Sequence, residues 1–103
     1  MTTDNEIRVD PEFEFRGHKA SEIPMRMRNS IELYVNYGVP PGDFLGGIIC
    51  KDLPTCIDHA DNENLWLIPL YYAWFYNEAP SWCWGNCDKM SRWMIAKQKG
   101  EAL

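Results

Sequence analysis

Four cysteines, two histidines and five tryptophans are the residues of this chain whose types lend themselves most readily to chemistry. The cysteines stand at Cys50, Cys56, Cys83 and Cys87, giving the spacings C-x5-C and C-x3-C. Structural zinc prefers C-x2-C or C-x4-C turns, so a four-cysteine zinc site is the weaker reading, and small buried hydrophobes the stronger. A nucleophilic thiol needs a base within hydrogen-bond reach and an orienting third group. His18 and His59 are the only imidazoles, and a Cys87–His59 pair has no motif behind it, although a helix beginning there would lower the pKa of Cys87. The carboxylates of DHADNEN (58–64) suggest a calcium loop, yet counting from Asp58 puts Glu63 and Pro69 where that loop requires glycine and glutamate. No glycine-rich phosphate loop of the Walker or dinucleotide type is present. Elimination leaves a binding protein rather than an enzyme, with no cofactor and no metal expected.

The stretch APSWCWGNCDKM (79–90) is the most unusual part of the chain. Trp82 and Trp84 flank Cys83 and cannot both point into one small core. If one is exposed beside the start of the last helix, an indole face lies next to backbone N–H donors and a positive dipole end. That pairing suits a nucleotide, with the base on the indole and the phosphate at the helix start. The candidate ligand-binding set is therefore Trp82, Trp84 and Asn86, with Lys89, Arg92, Arg26 and Arg28 adding charge. Two other readings stay open: both rings close the bundle, or one is a hot spot for a partner protein.

The elements that must position these residues read as helices. Pro24 suits an early helical position, and Met27, Ile31, Tyr34 and Val35 recur at helical spacing up to Tyr37, with Gly38 as a C-terminal cap. DFLGGIICKD (43–52) predicts a second helix and Pro54 to His59 a short third one. Asp61 is the expected N-cap of a fourth, which carries the aromatic run to about Glu78 and should be kinked or split at Pro69. This segment is apolar nearly all round, as a central helix would be. Asn86 is the expected N-cap of the last helix, closed by Gly100. The fold class is all-α: a compact bundle of four or five short helices spanning 24–100, preceded by a flexible or strand-like N-terminal arm at 1–23. Val9, Phe13 and Phe15 alternate with charges, which allows a short strand or an arm docking on a partner, but a largely disordered tail is the favoured reading.

Bulk properties narrow the partners. At 103 residues the chain is one domain with a small core. Its formal charge of -5 argues against general nucleic-acid binding, which rests on Lys and Arg neutralising phosphates. Charges run throughout the first 20 residues, so no secretory leader is expected, and the longest apolar run, 65–76, is too short to span a bilayer. The expected location is therefore the cytoplasm, with the cysteines read first as reduced thiols. Nine of the 14 aromatics crowd between Trp66 and Trp93, which suggests a homo-oligomer, because one small core cannot hide so many.

The order of segments YVNYGVPPGDFLGGIICKDL, ADNEN and YNEAPSWCWGNCDKMSRW resembles a family of small proteins found in bacteriophage and prophage genomes. The positions carrying the resemblance are Gly38, Pro40, Gly42, Phe44, Leu45, Asp52, Leu53, Ala60, Asp61, Asn64, Pro80, Cys83, Trp84, Gly85 and Trp93, across roughly residues 31 to 95. The family commonly has Ser-Pro-Glu-Lys where this chain has Asn86, Cys87, Asp88 and Lys89, and a cysteine at that proline position speaks further against zinc. The resemblance implies a phage origin and a small accessory role in the host bacterial cytoplasm, of the host-takeover or anti-defence kind. The expected function is to sequester a nucleotide-type immune signal. The alternative is a protein–protein inhibitor of a host defence complex or other host enzyme.

Overall fold

Four N-caps set where most of the helices begin. The structure, a computed structural model, describes residues 6–100. Pro24 caps α1 (Met25–Tyr37), and Gly42 precedes α2 (Asp43–Ile49). Asp52 caps α3 (Leu53–His59), its Oδ1 accepting the Thr55 N–H at 3.2 Å. Asp61 caps α4 (Asn62–Leu65) through the Asn64 N–H at 2.8 Å, so DHADNEN is a capping turn between two helices. Pro69 stands in the first turn of α5 (Ile68–Glu78), where its missing N–H has no intrahelical acceptor to lose. The aromatic helix is thus split rather than kinked, and the described residues hold six α-helices where four or five were expected. Asn86 caps α6 (Cys87–Gln98), accepting from the Lys89 N–H at 2.8 Å. The architecture is the small, mostly α-helical bundle read from the sequence. Among the described residues, no helix is long and apolar enough to cross a membrane.

From residue 6 onward the N-terminal arm lies along α1. Asn36 clasps the backbone of Ile7 in both directions at 2.8 Å, and the Val9 N–H donates to Glu32 at 2.8 Å. Val9, Ala20 and Ile23 are buried in the common core. Between them runs a two-residue hairpin, β1 (Glu14–Phe15) against β2 (His18–Lys19), with Glu14 opposite Lys19. Arg16 and Gly17 turn it at φ 52° and 85°, the pair of positive φ angles that a type I′ turn requires. The arm is therefore part of the described globule, and it brings Phe15 against α5.

α5 is the central helix. It buries Ile68, Leu70, Tyr71, Ala73, Trp74 and Phe75, while Tyr76 stays exposed. Phe44 of α2 meets Tyr71 edge-on at 5.2 Å, and the Tyr71 hydroxyl donates to buried Asn64 at 2.6 Å. α2 and α3 pack closely because Gly47 has no side chain: a Cβ there would meet the backbone N and Sγ of Cys56 at 3.0 Å. Gly38 ends α1 at φ 71°, and its N–H donates to the Tyr34 carbonyl at 2.9 Å. A Cβ on it would meet Lys97 Cβ at 2.8 Å and Met94 O at 2.9 Å, so this turn is where α6 lies against α1. Gly38→Ala is expected to lower unfolding free energy by roughly 1–3 kcal/mol in urea titrations. Gly100→Ala has a similar φ of 73° but open space around it, and should cost less.

Candidate functional site

Two long-range backbone anchors hold the Pro80–Gly85 turn and decide which way its tryptophans face. The hydroxyl of Tyr34 in α1 donates to the Cys83 carbonyl at 2.6 Å, and the Gly85 N–H donates to the Ile49 carbonyl at 2.8 Å. Cys83, in a 3-10 turn at Ser81–Cys83, is fully buried, so its two neighbours project on either side of it. Trp84 turns inward, leaving 7% of its surface exposed, while Trp82 stays 64% exposed. Trp84 packs against Phe75 at 5.6 Å and edge-on to Tyr72 at 6.0 Å.

One face of Trp84 carries a cation. The Lys51 ammonium stands 4.6 Å from the ring centroid, and no carboxylate pairs with it among the described residues. Lys51 reaches that place through an unusual backbone. It takes φ 57° immediately after α2, and the Asp52 N–H bonds back to the Gly47 carbonyl at 2.8 Å. This is the left-handed position of a Schellman end, ordinarily filled by glycine, and a lysine there carries about 1–2 kcal/mol of strain. Around the pair opens an aromatic groove of about 400 Å³, lined also by Phe15, Pro69, Tyr72, Tyr76 and Asn77. Burial, the largest effect, pushes the Tyr72 hydroxyl up to about 12, so it is a neutral donor at physiological pH.

Of the seven ligand-binding residues expected from the sequence, only Trp84 lines this groove. The cap oxygen of Asn86 is occupied by the Lys89 N–H, and the Arg92 guanidinium reaches Asp88 at 3.1 Å. Lys89 runs along Gly85, where an added Cβ would stand 3.6 Å from its Nζ. Arg26 bonds to Asp61 at 2.8 Å and faces a different groove with Asp43, His59 and Asn64. Arg28 donates to the Ile23 carbonyl at 3.0 Å. The arginines are thus held at the start of α1 and the front of α6 by local partners, and the seven do not form one site. Lys51, Phe15, Tyr72 and Tyr76, which line the groove, are not among those seven. The alternating pattern around Phe15 was legible, whereas nothing in the local sequence marks Lys51.

The cysteines divide into two pairs. Cys50, at the end of α2, and Cys87, the first residue of α6, form a disulfide with Cα atoms 4.6 Å apart, within the span a disulfide bridges. This corrects the expectation of four reduced thiols. The reason is spatial: the Gly85–Ile49 bond sets the two helix ends side by side although 37 residues separate the cysteines. Cys56 and Cys83 are free and buried. Desolvation pushes the Cys83 thiol up to about 12 and raises Cys56, the opposite of an activated nucleophile. His59 lies 3.8 Å from Asp43 and lines the Arg26 groove, whereas Cys87 borders another cavity. Among the described residues, no group of three His, Cys, Asp or Glu is arranged to hold a metal ion.

Comparison with protein-family models, with curated proteins and with solved structures finds no match. The groove's own geometry is therefore the basis for a functional reading.

Burial also makes the fold sensitive to alkali. The Cys83 thiol, ordinarily 9.0, and the Tyr72 hydroxyl, ordinarily 10.0, both rise to about 12, and burial raises Tyr34 and Tyr71 as well. Above pH 9.0 the unfolded chain releases protons that the folded chain still holds, so stability falls as pH rises toward 12. Urea midpoints should hold steady from neutrality to pH 9.0 and then decline, with unfolding free energy falling by on the order of 1 kcal/mol per pH unit for the buried Cys83 thiol and by less for the more exposed Tyr72 hydroxyl. Cys83→Ala should lessen the earliest part of that decline and leave the part that buried Cys56 contributes.

Proposed function

We propose that this chain is a phage accessory protein that counters bacterial immunity in the host cytoplasm by binding and sequestering a nucleotide-type signal. The observation carrying this reading is Lys51, held at φ 57° with its ammonium 4.6 Å over Trp84 beside an open aromatic groove. A non-glycine residue in a left-handed position persists where the surroundings enforce it, and such strain clusters at functional sites. The rest is chemical complementarity. A base entering the groove takes the Trp84 edge and the Tyr72, Tyr76 and Phe15 rings, at about 1–3 kcal/mol per stacked base. Lys51 leaves a surface cation–π contact of about 0.5–1 kcal/mol for a charge-assisted bond to phosphate of about 1.5–3 kcal/mol. That exchange favours an anionic aromatic ligand over a neutral one. Nothing in the groove supplies a base and nucleophile in contact, so binding rather than turnover is proposed.

Isothermal titration with cyclic nucleotides and ADP-ribose derivatives tests this. A saturable heat with at least one of them is expected, weakened at least tenfold in Lys51→Gly. That variant relieves the left-handed strain, about 1–2 kcal/mol, against the backbone entropy of glycine, about 0.5–1 kcal/mol. Its stability should hold or rise slightly, which separates lost binding from lost folding. Uniformly absent heats, with a host protein co-purifying, would sink the sequestration reading.

The second reading, a protein–protein inhibitor of a host defence complex or other host enzyme, is favoured by Trp66, Tyr76 and Trp82, exposed at 78%, 77% and 64%. Rings of this size are enriched in interface hot spots. A second copy of the chain is the other partner that would cover them, as a homo-oligomer.

A further inference from the structure

The disulfide has a third sulfur beside it. The Cys50 Sγ lies 3.9 Å from the Met90 Sδ, and Cys87 and Met90 stand three residues apart on one face of α6. All three border a cavity of about 300 Å³ between α2, α3 and α6. Gly46 lies one turn before Cys50 on α2, and a Cβ added to it would meet nothing closer than Pro41 at 3.9 Å, so the approach to the sulfurs is open. Cys50 is half-buried and Cys87 exposed.

We propose that, when the disulfide is reduced, Cys50, Cys87 and Met90 form a three-sulfur site for a single copper(I) ion. Metal–sulfur bonds of about 2.3 Å in a trigonal plane place sulfurs about 4.0 Å apart. The Cys50–Met90 separation of 3.9 Å already matches that edge. Cys50 and Cys87, freed from their mutual bond, need only rotate their side chains apart to reach the same spacing, their Cα atoms being 4.6 Å apart. The donor set chooses the metal. Thiolate and thioether ligands select soft copper(I), whereas zinc needs four nitrogen, sulfur or carboxylate donors. Asp43 and Asp52 also line the cavity, but among the described residues no three of His, Cys, Asp and Glu are arranged to hold a metal ion, whereas Met90 already lies against Cys50. Cys87 is the first residue of a 12-residue helix, a position that favours its thiolate.

The steps balance. Two molecules of a low-molecular-weight thiol such as glutathione donate two electrons; the protein disulfide breaks and one glutathione disulfide forms. Copper(I) then forms two bonds to thiolates and one to the Met90 thioether, two protons leave the thiols, and no electron moves.

The test uses the full chain, reduced with a phosphine and kept anaerobic, titrated into copper(I) held by the chromophoric chelator bicinchoninate. Loss of colour to one equivalent of protein is expected, with three sulfurs around copper in X-ray absorption. Met90→Leu, close in volume and still able to form the disulfide, should bind copper(I) at least tenfold more weakly. Cys87→Ser, at an exposed position, should no longer compete with the chelator. Diamide-oxidised protein should leave the colour unchanged. Undiminished colour with reduced protein, equal affinity in Met90→Leu, or copper(I) taken up equally by oxidised protein would each overturn the proposal. So would stoichiometric zinc binding in preference to copper(I).

Discussion

The bond from the Tyr34 hydroxyl to the Cys83 carbonyl, 2.6 Å long and fully buried, is the constraint on which the functional end of the molecule depends. It joins the middle of α1 to a turn 49 residues away and fixes that turn's depth in the core. The same stretch of α1 takes a second load, because the Trp93 indole N–H bonds to the Tyr34 and Val35 carbonyls at 3.2 and 3.1 Å. The Tyr34 carbonyl, which already accepts the Gly38 N–H, takes the indole with its second lone pair, whereas Val35 offers a carbonyl that the end of α1 leaves free, since the Val39 N–H bonds to Leu33. α1 thus holds both the entrance and the middle of α6. Leaving any of these buried groups unpaired costs about 1–3 kcal/mol, so the turn has little freedom to tilt. With Cys83 pinned, the change from the 3-10 turn that holds Trp82 to the extended backbone of Trp84 lets one indole point out and the other inward.

Helix starts were legible in the sequence because they are local: Pro24, Asp52, Asp61 and Asn86 act on backbone groups within three or four residues. Gly38 and Pro69 were legible for the same reason. The orientation of the tryptophans was not, since it follows from bonds spanning 49 residues, and neither was the disulfide, whose partners are 37 apart. Lys51 shows the limit most clearly. The end of α2 reads like any helix terminus, and only the bond from Asp52 back to Gly47 reveals that a lysine fills the place of a glycine. The arginines mislead in the opposite sense. Their charge suggested anion binding, yet Arg26 and Arg92 are engaged by Asp61 and Asp88, carboxylates that composition alone cannot assign.

A chain of formal charge -5 that binds an anion must do so against its own field. That field acts weakly at a distance, since exposed charges are screened beyond about 8 Å at physiological salt. At contact the balance reverses. Two unit charges 4 Å apart near a protein surface interact by about 4 kcal/mol, so one unpaired ammonium outweighs several remote carboxylates. Lys51 meets that condition because no carboxylate pairs with it among the described residues, whereas Lys19 is held by Glu12 at 2.9 Å. On the proposed reading, Lys51 supplies the charge contact and the aromatic groove the selectivity.

The seam between α2 and α6 gathers the chain's special chemistry. The disulfide ties Cys50 to Cys87, the Gly85 N–H ties the turn to Ile49, and Lys51 and Trp84 meet between those two fastenings. Each fastening removes backbone freedom at this seam, so ordering a side chain such as Lys51 there costs about 0.5–1.5 kcal/mol with no backbone loss added. The strain at φ 57° belongs to the same arrangement. A glycine would relax it but would place no cation over the ring, so the strain and the cation–π contact come from the same residue.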